Sequence, residues 1–312
     1  MECYLTHWNG EKLLLPDLLS WTFTYTTGTP CDAYELRTLW SPGLEEKLSG
    51  AMRFTAVEAG ETIFQGVVDE YACTWDEGGG ALEVNGRGMA ALLLDNEALG
   101  CDYLVATMED ILKDHVEPYH IARGTIAELP PVAGFSVENG SSEWQVLYDF
   151  ARYHGGIAPR FDRAGRLVIA PWDDQSKRTL DPAGGMTAMT YREKRYGVLS
   201  EVLVRDRTTL AVQQVKDEAF IAQGGQCRRV LTMPGRSTYQ AMRYSGSYQL
   251  ERAREERVRM EITLPRLFAA WPGELVEIYL ERPRVAGTWR VVQTETGVEY
   301  GGVFSRLTLG EP

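Results

Sequence analysis

The sequence predicts a mainly β chain with α+β character, ordered as β, then α/β, then β. Three observations carry this. Short β-branched and aromatic runs are joined by glycine-bearing turns between residues 20 and 85, helical spacing takes over after residue 105, and strict alternation returns between residues 275 and 309. With 312 residues, 44% of them hydrophobic and 24% charged, the chain can bury a real core and is too long for one average domain.

Trp21 to Thr27 is the first such run, Tyr34 to Trp40 alternates, and Ala51 to Val57 passes through Glu58, Ala59 and Gly60 into Thr62 to Val68. Tyr71 to Trp75 and Ala81 to Val84 then flank the turn-rich Asp76 to Gly80. Turns this short join antiparallel strands, because a parallel crossover needs about a dozen residues or more. The segment is therefore expected to form a small barrel or sandwich.

In the middle section Val105, Met108, Ile111, Leu112 and His115 share one helical face, with Thr107 and Asp110 spaced as a capping box and Pro118 beyond the end. A second helix is expected from Ser142, with Gln145 as box partner, to His154 before Gly155 and Gly156. It is apolar on two faces, Trp144, Leu147, Tyr148 and Ala151 on one and Val146, Phe150 and Tyr153 on the other. Burial between two layers, or partly against another subunit, gives that pattern. Ile157 to Phe161 and Arg166 to Ala170, joined by Asp162 to Gly165, read as a hairpin.

After Pro182 the strand pattern resumes with Leu199 to Arg205. Thr208 to Ser247 is polar and glycine-punctuated with no clear period, and Glu251 to Met260 fits a helix turn or a strand lead-in equally. Leu275 to Leu280, Thr288 to Thr294 and Val303 to Leu309 alternate, with Pro272-Gly273 and Ala286-Gly287 as turns. The expected division is 1–100, a β-barrel; 101–190, an α/β module; and 191–312, a second β unit with a polar insertion around 208–247.

Charge narrows the function classes. The net charge is −12, and it is uneven: −11 over residues 1–100, −5 over 101–190 and +4 over 191–312. An acidic first third argues against specific nucleic-acid binding, which needs clustered Lys and Arg. The apolar runs are far shorter than the roughly 20 residues of a membrane span, and no basic-then-apolar leader opens the chain. Neither membrane insertion nor a signal peptide is expected. The five cysteines (Cys3, Cys31, Cys73, Cys101, Cys227) have no metal-ligand spacing and are expected to be reduced and unpaired.

One stretch matches a chemical fingerprint: Gly86-Arg87-Gly88-Met89-Ala90-Ala91, a GxGxxA between a strand and an apolar run. A dinucleotide site needs a βαβ unit and a ribose-binding acid that the surroundings do not supply, so a tight strand-to-helix turn is the better reading. The acid pairs Asp69/Glu70, Asp173/Asp174 and Glu255/Glu256 point in different directions and read as solvated charge. His7, His115, His120 and His154 form no HxH or HExxH pair, and His115 and His154 read as partners of helix C-terminal dipoles. No GxSxG elbow or GxxxxGK[ST] loop occurs. No catalytic, cofactor-binding or metal residue is nominated, and no cofactor is expected.

Three segments together resemble the hub proteins of contractile phage-tail baseplates, the late-control protein D type and its relatives in phage-like particles. Thr62 to Glu70 followed by Leu82 to Gly88 and Leu92 to Glu97 resembles that family's first barrel and its exit into a short helix. Ser142 to Phe150 and Pro159 to Ile169 resemble its middle module. Trp271 to Ile278, Gly287 to Val292 and Ser305 to Leu309 resemble its closing barrel. The resemblance implies two tail-tube-like antiparallel β-barrels per chain and a homotrimer whose six barrels mimic the six-fold tail tube around a central channel. It also implies partners: the tail tube protein, a spike or lysin protein, baseplate wedge proteins and the tape-measure protein.

The expected function is thus a non-enzymatic baseplate hub that adapts the tail tube to the spike, in a virion or tail-like particle assembled in the bacterial cytoplasm. Its acidic first third would face the channel and repel polyanionic cargo. Phe64, Gly66, Gly86, Gly88, Pro272, Gly273 and Trp289 are expected to determine turns and core. The competing expectations are a tail-associated peptidoglycan hydrolase, which needs perturbed acids converging in a pocket, and a monomeric glycan-binding module.

Overall fold

The computed structural model describes residues 1–27, 31–175, 177–181, 185–233, 237–280, 285–299 and 302–312. The chain begins with β1 (Glu2–His7), β2 (Lys12–Leu14), β3 (Leu18–Thr26), β4 (Ala33–Leu39), helix α1 (Leu44–Leu48), β5 (Ala51–Glu58), β6 (Glu61–Asp76) and β7 (Gly79–Gly88). These strands pair antiparallel in the order β3-β4-β7-β6-β5-β1-β2. Alternation sends Phe23, Tyr25, Tyr34, Leu36, Phe54, Phe64, Leu82 and Val84 to one face, where all are buried. Phe23 lies 5.2 Å from Phe64 and 6.1 Å from Phe54, although β3 is no sheet neighbour of β5 or β6. The sheet is therefore rolled around its apolar face into a small barrel.

The middle module holds α2 (Ala91–Leu94), β8 (Cys101–Ala106), α3 (Met108–His115), β9 (Arg123–Ile126), β10 (Val132–Val137), α4 (Glu143–Tyr148), β11 (Arg160–Phe161) and β12 (Leu167–Ile169). The Thr107/Asp110 capping box is present on α3. Val105 lies instead in β8 opposite Ala133, because the box starts the helix only at Met108. Ser142 caps α4, but Gln145 turns its amide to Asp149 at 2.5 Å rather than back to the cap, and Asp149–His154 continue as a π-helix to Gly155. Both faces of α4 and the π-turn are buried, with Trp144, Val146, Leu147, Phe150 and Ala151 in the module's core.

The last part runs β13 (Lys177–Leu180), β14 (Ala188–Glu193), β15 (Glu201–Asp206), β16 (Val212–Lys216), α5 (Glu218–Ala222), β17 (Arg228–Met233), α6 (Tyr239–Arg257), β18 (Val258–Leu264), β19 (Leu275–Leu280), β20 (Val285–Glu299) and β21 (Gly302–Gly310). β15, β16 and β17 form their own sheet, and α6 packs on it through Ala241, Met242 and Leu250. The described residues of 208–247, patternless in sequence, thus belong to a small α/β unit with its own core. The Glu251 to Met260 ambiguity has a double answer: the helix runs to Arg257 and the strand starts at Val258. Pro182 lies outside the described residues. Ala286 and Gly287 do not form the expected turn; they lie in β20 opposite Tyr279 and Ile278.

The other strands, β14-β18-β21-β20-β19-β13, repeat the first barrel's order β3-β4-β7-β6-β5-β1. Taken in chain order, β1, β3, β4, β5, β6 and β7 correspond to β13, β14, β18, β19, β20 and β21. Only the first strand departs, running antiparallel to β5 in one unit and parallel to β19 in the other. The long hairpins match residue for residue. β6 is bulged at Asp69, between Val68 opposite Gly86 and Glu70 opposite Asn85; β20 is bulged at Val292, between Val291 opposite Leu309 and Gln293 opposite Thr308. From each bulge the strand continues for the same length, to Asp76 opposite Gly79 and to Glu299 opposite Gly302. The chain therefore contains one barrel topology twice, the second copy carrying the α/β unit between its β14 and β18.

Candidate functional site: the barrel seam and its two open ends

Among the described residues the main structural feature beyond the cores is where the two barrels meet. β20 pairs antiparallel with β3, Gln293 opposite Thr26 through Val298 opposite Trp21, so both barrels share one continuous sheet. The peptide N–H of Thr27 donates to the carbonyl of the bulged Val292 at 3.1 Å, and Trp271 sits edge-on to Tyr25 at 5.0 Å. At Gly297 the strands come so close that a Cβ would lie 2.2 Å from the Trp21 carbonyl oxygen. Thr294 and Phe23, both 0% exposed, point from the paired strands into the barrels, Phe23 against Phe54 and Phe64 and Thr294 donating to the Ala270 carbonyl at 2.6 Å.

The corresponding surfaces at the ends of the shared sheet are open. β5 pairs with β6 only as far as Val67, so the far half of β6 meets β7 on one edge and no described strand on the other. β14 is the outermost strand of the opposite end, paired with β18 alone. Both ends expose aromatics: Tyr71 is 44%, Trp75 56% and Tyr191 46% accessible. A long unprotected edge with exposed aromatics is an aggregation hazard unless something pairs with it.

The outward face of this sheet is polar and charge-matched. Glu35, Glu83, Glu261 and Glu295 alternate with the inward core residues of their strands. Arg37 pairs Glu83 at 3.5 Å, Arg306 pairs Glu295, and Arg87 spans Asp69 and Asp95 at 2.7 and 2.6 Å.

The residues singled out by sequence fall into two groups. Phe64 is buried among Phe23, Tyr25, Tyr34 and Phe54. Gly66, Gly86 and Gly88 lie in strands rather than in a turn. A Cβ at Gly66 would meet the Arg87 carbonyl oxygen at 2.1 Å, one at Gly86 the Val67 carbonyl oxygen at 2.0 Å, and one at Gly88 the Asp32 Cβ at 3.2 Å. The GxGxxA stretch thus serves close packing of β6, β7 and β4's approach, with α2 beginning only at Ala91. Pro272 and Gly273 form the turn before β19; Gly273 has φ +91° and faces the Trp172 ring. Trp289 packs on the second barrel's core and lies edge-on to Tyr191 at 6.3 Å.

Two polar arrangements bear on the enzyme alternative. His115 Nδ1 lies 2.6 Å from Glu143, whose other oxygen accepts from Tyr119 at 2.9 Å, while Tyr103 lies 3.1 Å from His115 Nε2. His115, in the last turn of α3, is also partnered by a buried carboxylate, and burial holds His154 below its ordinary value, favouring a neutral ring. None of these side chains lines either of the large surface grooves. The 540 Å³ groove between the middle module, α6 and β20 does hold carboxyls: Glu251 is paired with Arg152 at 3.0 Å and Glu311 with Arg257 at 2.8 Å, while burial pushes Glu255 above its ordinary value. Glycoside hydrolysis needs a second, available carboxylate beside such an acid, and Glu251 and Glu311 are both engaged by arginines.

Two carboxyls outside this groove are also raised by burial. Burial pushes Asp32 and Asp149 up to about 7, each opposed by one hydrogen bond, from the Thr26 peptide N–H and the Gln145 amide. Asp32 is ordinarily ionised above 3.8. The unfolded chain therefore releases this proton near pH 4 while the folded chain holds it to about 7, so the group's contribution to stability falls across that window. Asp32→Asn is expected to match wild type near pH 4 and to be more stable by on the order of 4 kcal/mol at pH 8. Thermal unfolding at both pH values checks this; an equal difference at the two would remove Asp32 as the cause.

No family model matches the chain, and no curated protein matches it in sequence. Among solved structures, the fold is similar to a tail protein from Neisseria meningitidis MC58, with TM-score 0.80 and 17% identity over 99% of this chain and 96% of that one. It is similar to the 43 kDa tail protein of prophage MuSo2 from Shewanella oneidensis, with TM-score 0.78 and 16% identity over 100% and 99%. A type VI secretion system component of E. coli, itself structurally similar to the T4 bacteriophage tail proteins gp27 and gp5, matches with TM-score 0.59 and 13% identity over 95% and 74%. The chain has the fold of these tail proteins along its whole length.

Proposed function

We propose that the chain is a structural hub of a contractile tail or tail-like injection particle, a homotrimeric ring that joins a six-fold tail tube to a central spike. The observation that carries this reading is the duplicated barrel. Two copies of one unit, joined edge to edge in one sheet, give three chains six similar units, which is how a three-fold object can face a six-fold one. The fold shared with phage tail proteins and with a type VI secretion component supports the same reading.

Each chain contributes β14-β18-β21-β20-β3-β4-β7-β6 to the shared sheet. At a strand spacing of about 4.8 Å, three such sheets closed end to end give a circumference of at least about 115 Å, and so a diameter of at least about 37 Å between backbones. That leaves an open channel. Its wall would be the charge-matched outward face: Glu35, Glu70 and Glu83 would face the lumen, but with Arg37 and Arg87 among them. The wall is then polar without a strong field of either sign, so neither nucleic acid nor protein cargo would adhere. Of the three divisions 1–100, 101–190 and 191–312, the first would act as first barrel and the second as outer module up to about Ile169, while β13 and β14 join 191–312 in the second barrel. Neighbours in the particle would be the tube protein, a spike or lysin protein, wedge proteins and a tape-measure protein, and no catalysis is assigned.

Light scattering on the purified chain tests the ring. Its absolute mass is expected near three times 35.0 kDa over a range of concentration and salt. A monomer throughout that range would overturn the reading.

A further inference from the structure

We propose that the far half of β6 in one subunit pairs antiparallel with β14 of the next, in the register that β20 and β3 already use within the chain. The inference rests on the ring reading above and specifies the surface that closes it. β6 corresponds to β20, and β14 to β3, through matching positions in two sheets of the same strand order. Phe23 pairs with Tyr34 and Tyr34 with Gly86, whereas Tyr191 pairs with Met260 and Met260 with Leu309. Gly86 and Leu309 each face the residue just before a bulge, Val68 and Val291. Tyr191 is therefore the counterpart of Phe23, and Tyr71 that of Thr294.

Those counterparts carry the inference. Phe23 and Thr294 lie on edges that are paired within the chain and are 0% exposed, while Tyr191 and Tyr71, at the same positions of the open ends, are 46% and 44% exposed. The strand pairing at the first pair has no described counterpart at the other. A second copy supplies it: each chain ends in one β6 edge and one β14 edge, so the same contact repeats head to tail and closes a ring. Carrying over Glu295 opposite Thr24 gives Ala72 opposite Arg192, and Gln293 opposite Thr26 gives Glu70 opposite Lys194, a pairing of opposite charges. The tight approach at Gly297 has Thr74 as its counterpart, so the seam between chains is expected to be wider at that point.

Cysteine cross-linking tests the register. Directly opposed residues of an antiparallel pair have Cα atoms about 4.5–5.5 Å apart, within disulfide reach, and a shift of two residues takes them beyond it. Ala72 and Arg192 are both exposed. Ala72→Cys with Arg192→Cys is expected to move most of the chain, under mild oxidation, into covalent dimers and trimers on a non-reducing gel. Ala72→Cys with Thr190→Cys, two residues out of register, should not exceed the wild-type background from its own cysteines. The reduced double variant should keep the wild-type mass in solution, which shows that the substitutions do not themselves prevent assembly. A trimeric wild type in which the opposed pair fails to cross-link, or the shifted pair cross-links better, overturns this register and leaves the hub standing. A monomeric wild type overturns the hub reading and this inference with it.

Discussion

Gly86→Ala is expected to lower the melting temperature by on the order of 10 °C. The added Cβ would lie 2.0 Å from the Val67 carbonyl oxygen and 2.8 Å from the Tyr34 ring. Neither can retreat cheaply. Val67 belongs to β6 in the middle of the sheet, and Tyr34 is buried, stacked on Phe54 at 4.0 Å and bonded through its hydroxyl to that same Val67 carbonyl at 3.1 Å. Relief requires β6 and β7 to part, at a cost of about 3 kcal/mol or more, and a chain this size loses about 2–4 °C for each kcal/mol. Gly79→Ala is the control: its φ of +114° is strained for alanine but nothing lies within 4 Å, so its cost should stay near 1–2 kcal/mol. Calorimetry on both variants decides, and equal losses would show that the close approach of β6 to β7 is not what demands glycine.

Tyr191→Lys is expected to abolish the ring while leaving the subunit folded. In the isolated chain this side chain is 46% exposed and touches Trp289 only edge-on, so a lysine can reach water. At the proposed contact it would lie opposite Cys73 of the neighbour's β6, as Phe23 lies opposite Thr296 within the chain, with no carboxylate facing it. Burying an unpaired charge costs several kcal/mol, and a trimer would incur that cost three times over. The expected result is a monomer by light scattering with a melting temperature within a few degrees of that of the wild-type subunit. A trimer of unchanged mass would place Tyr191 outside the contact.

The parts of the fold legible in sequence are those whose local chemistry and tertiary role agree. Thr107 and Asp110 sit three apart because they bond each other's backbone, and the alternation of Leu275 to Leu280 marks an inward face without help from any partner. Asp69-Glu70 reads as a break between two strands because two adjacent acids interrupt the alternation; it is a bulge, and β6 continues through it to Asp76. Helix α6 was hidden for a different reason. It rests on its sheet through Ala241, Ser245 and Gly246, with a Cβ on Gly246 only 2.6 Å from Val215, so small residues replace the apolar stripe that marks a helix.

The candidate site lay further from view. The resemblance to hub proteins pointed to two barrels, but the duplication is carried by strand order and bulge position, not by residue identity: the counterpart of Phe64 is Gly287 and that of Gly86 is Leu309. A glycine-rich crossing in one barrel is an ordinary apolar pair in the other. The open ends were legible only as exposed aromatics in strands, and their meaning depends on seeing that identical positions elsewhere in the chain are covered.

Electron cryo-microscopy of the purified protein tests the ring most directly. The account predicts class averages with a central hole, six similar lobes around it and three-fold order in their outer features, where the α/β unit of each chain alternates with a barrel that lacks one. Compact particles without a hole, or a two-fold dimer that covers the β6 and β14 edges in some other way, would contradict it.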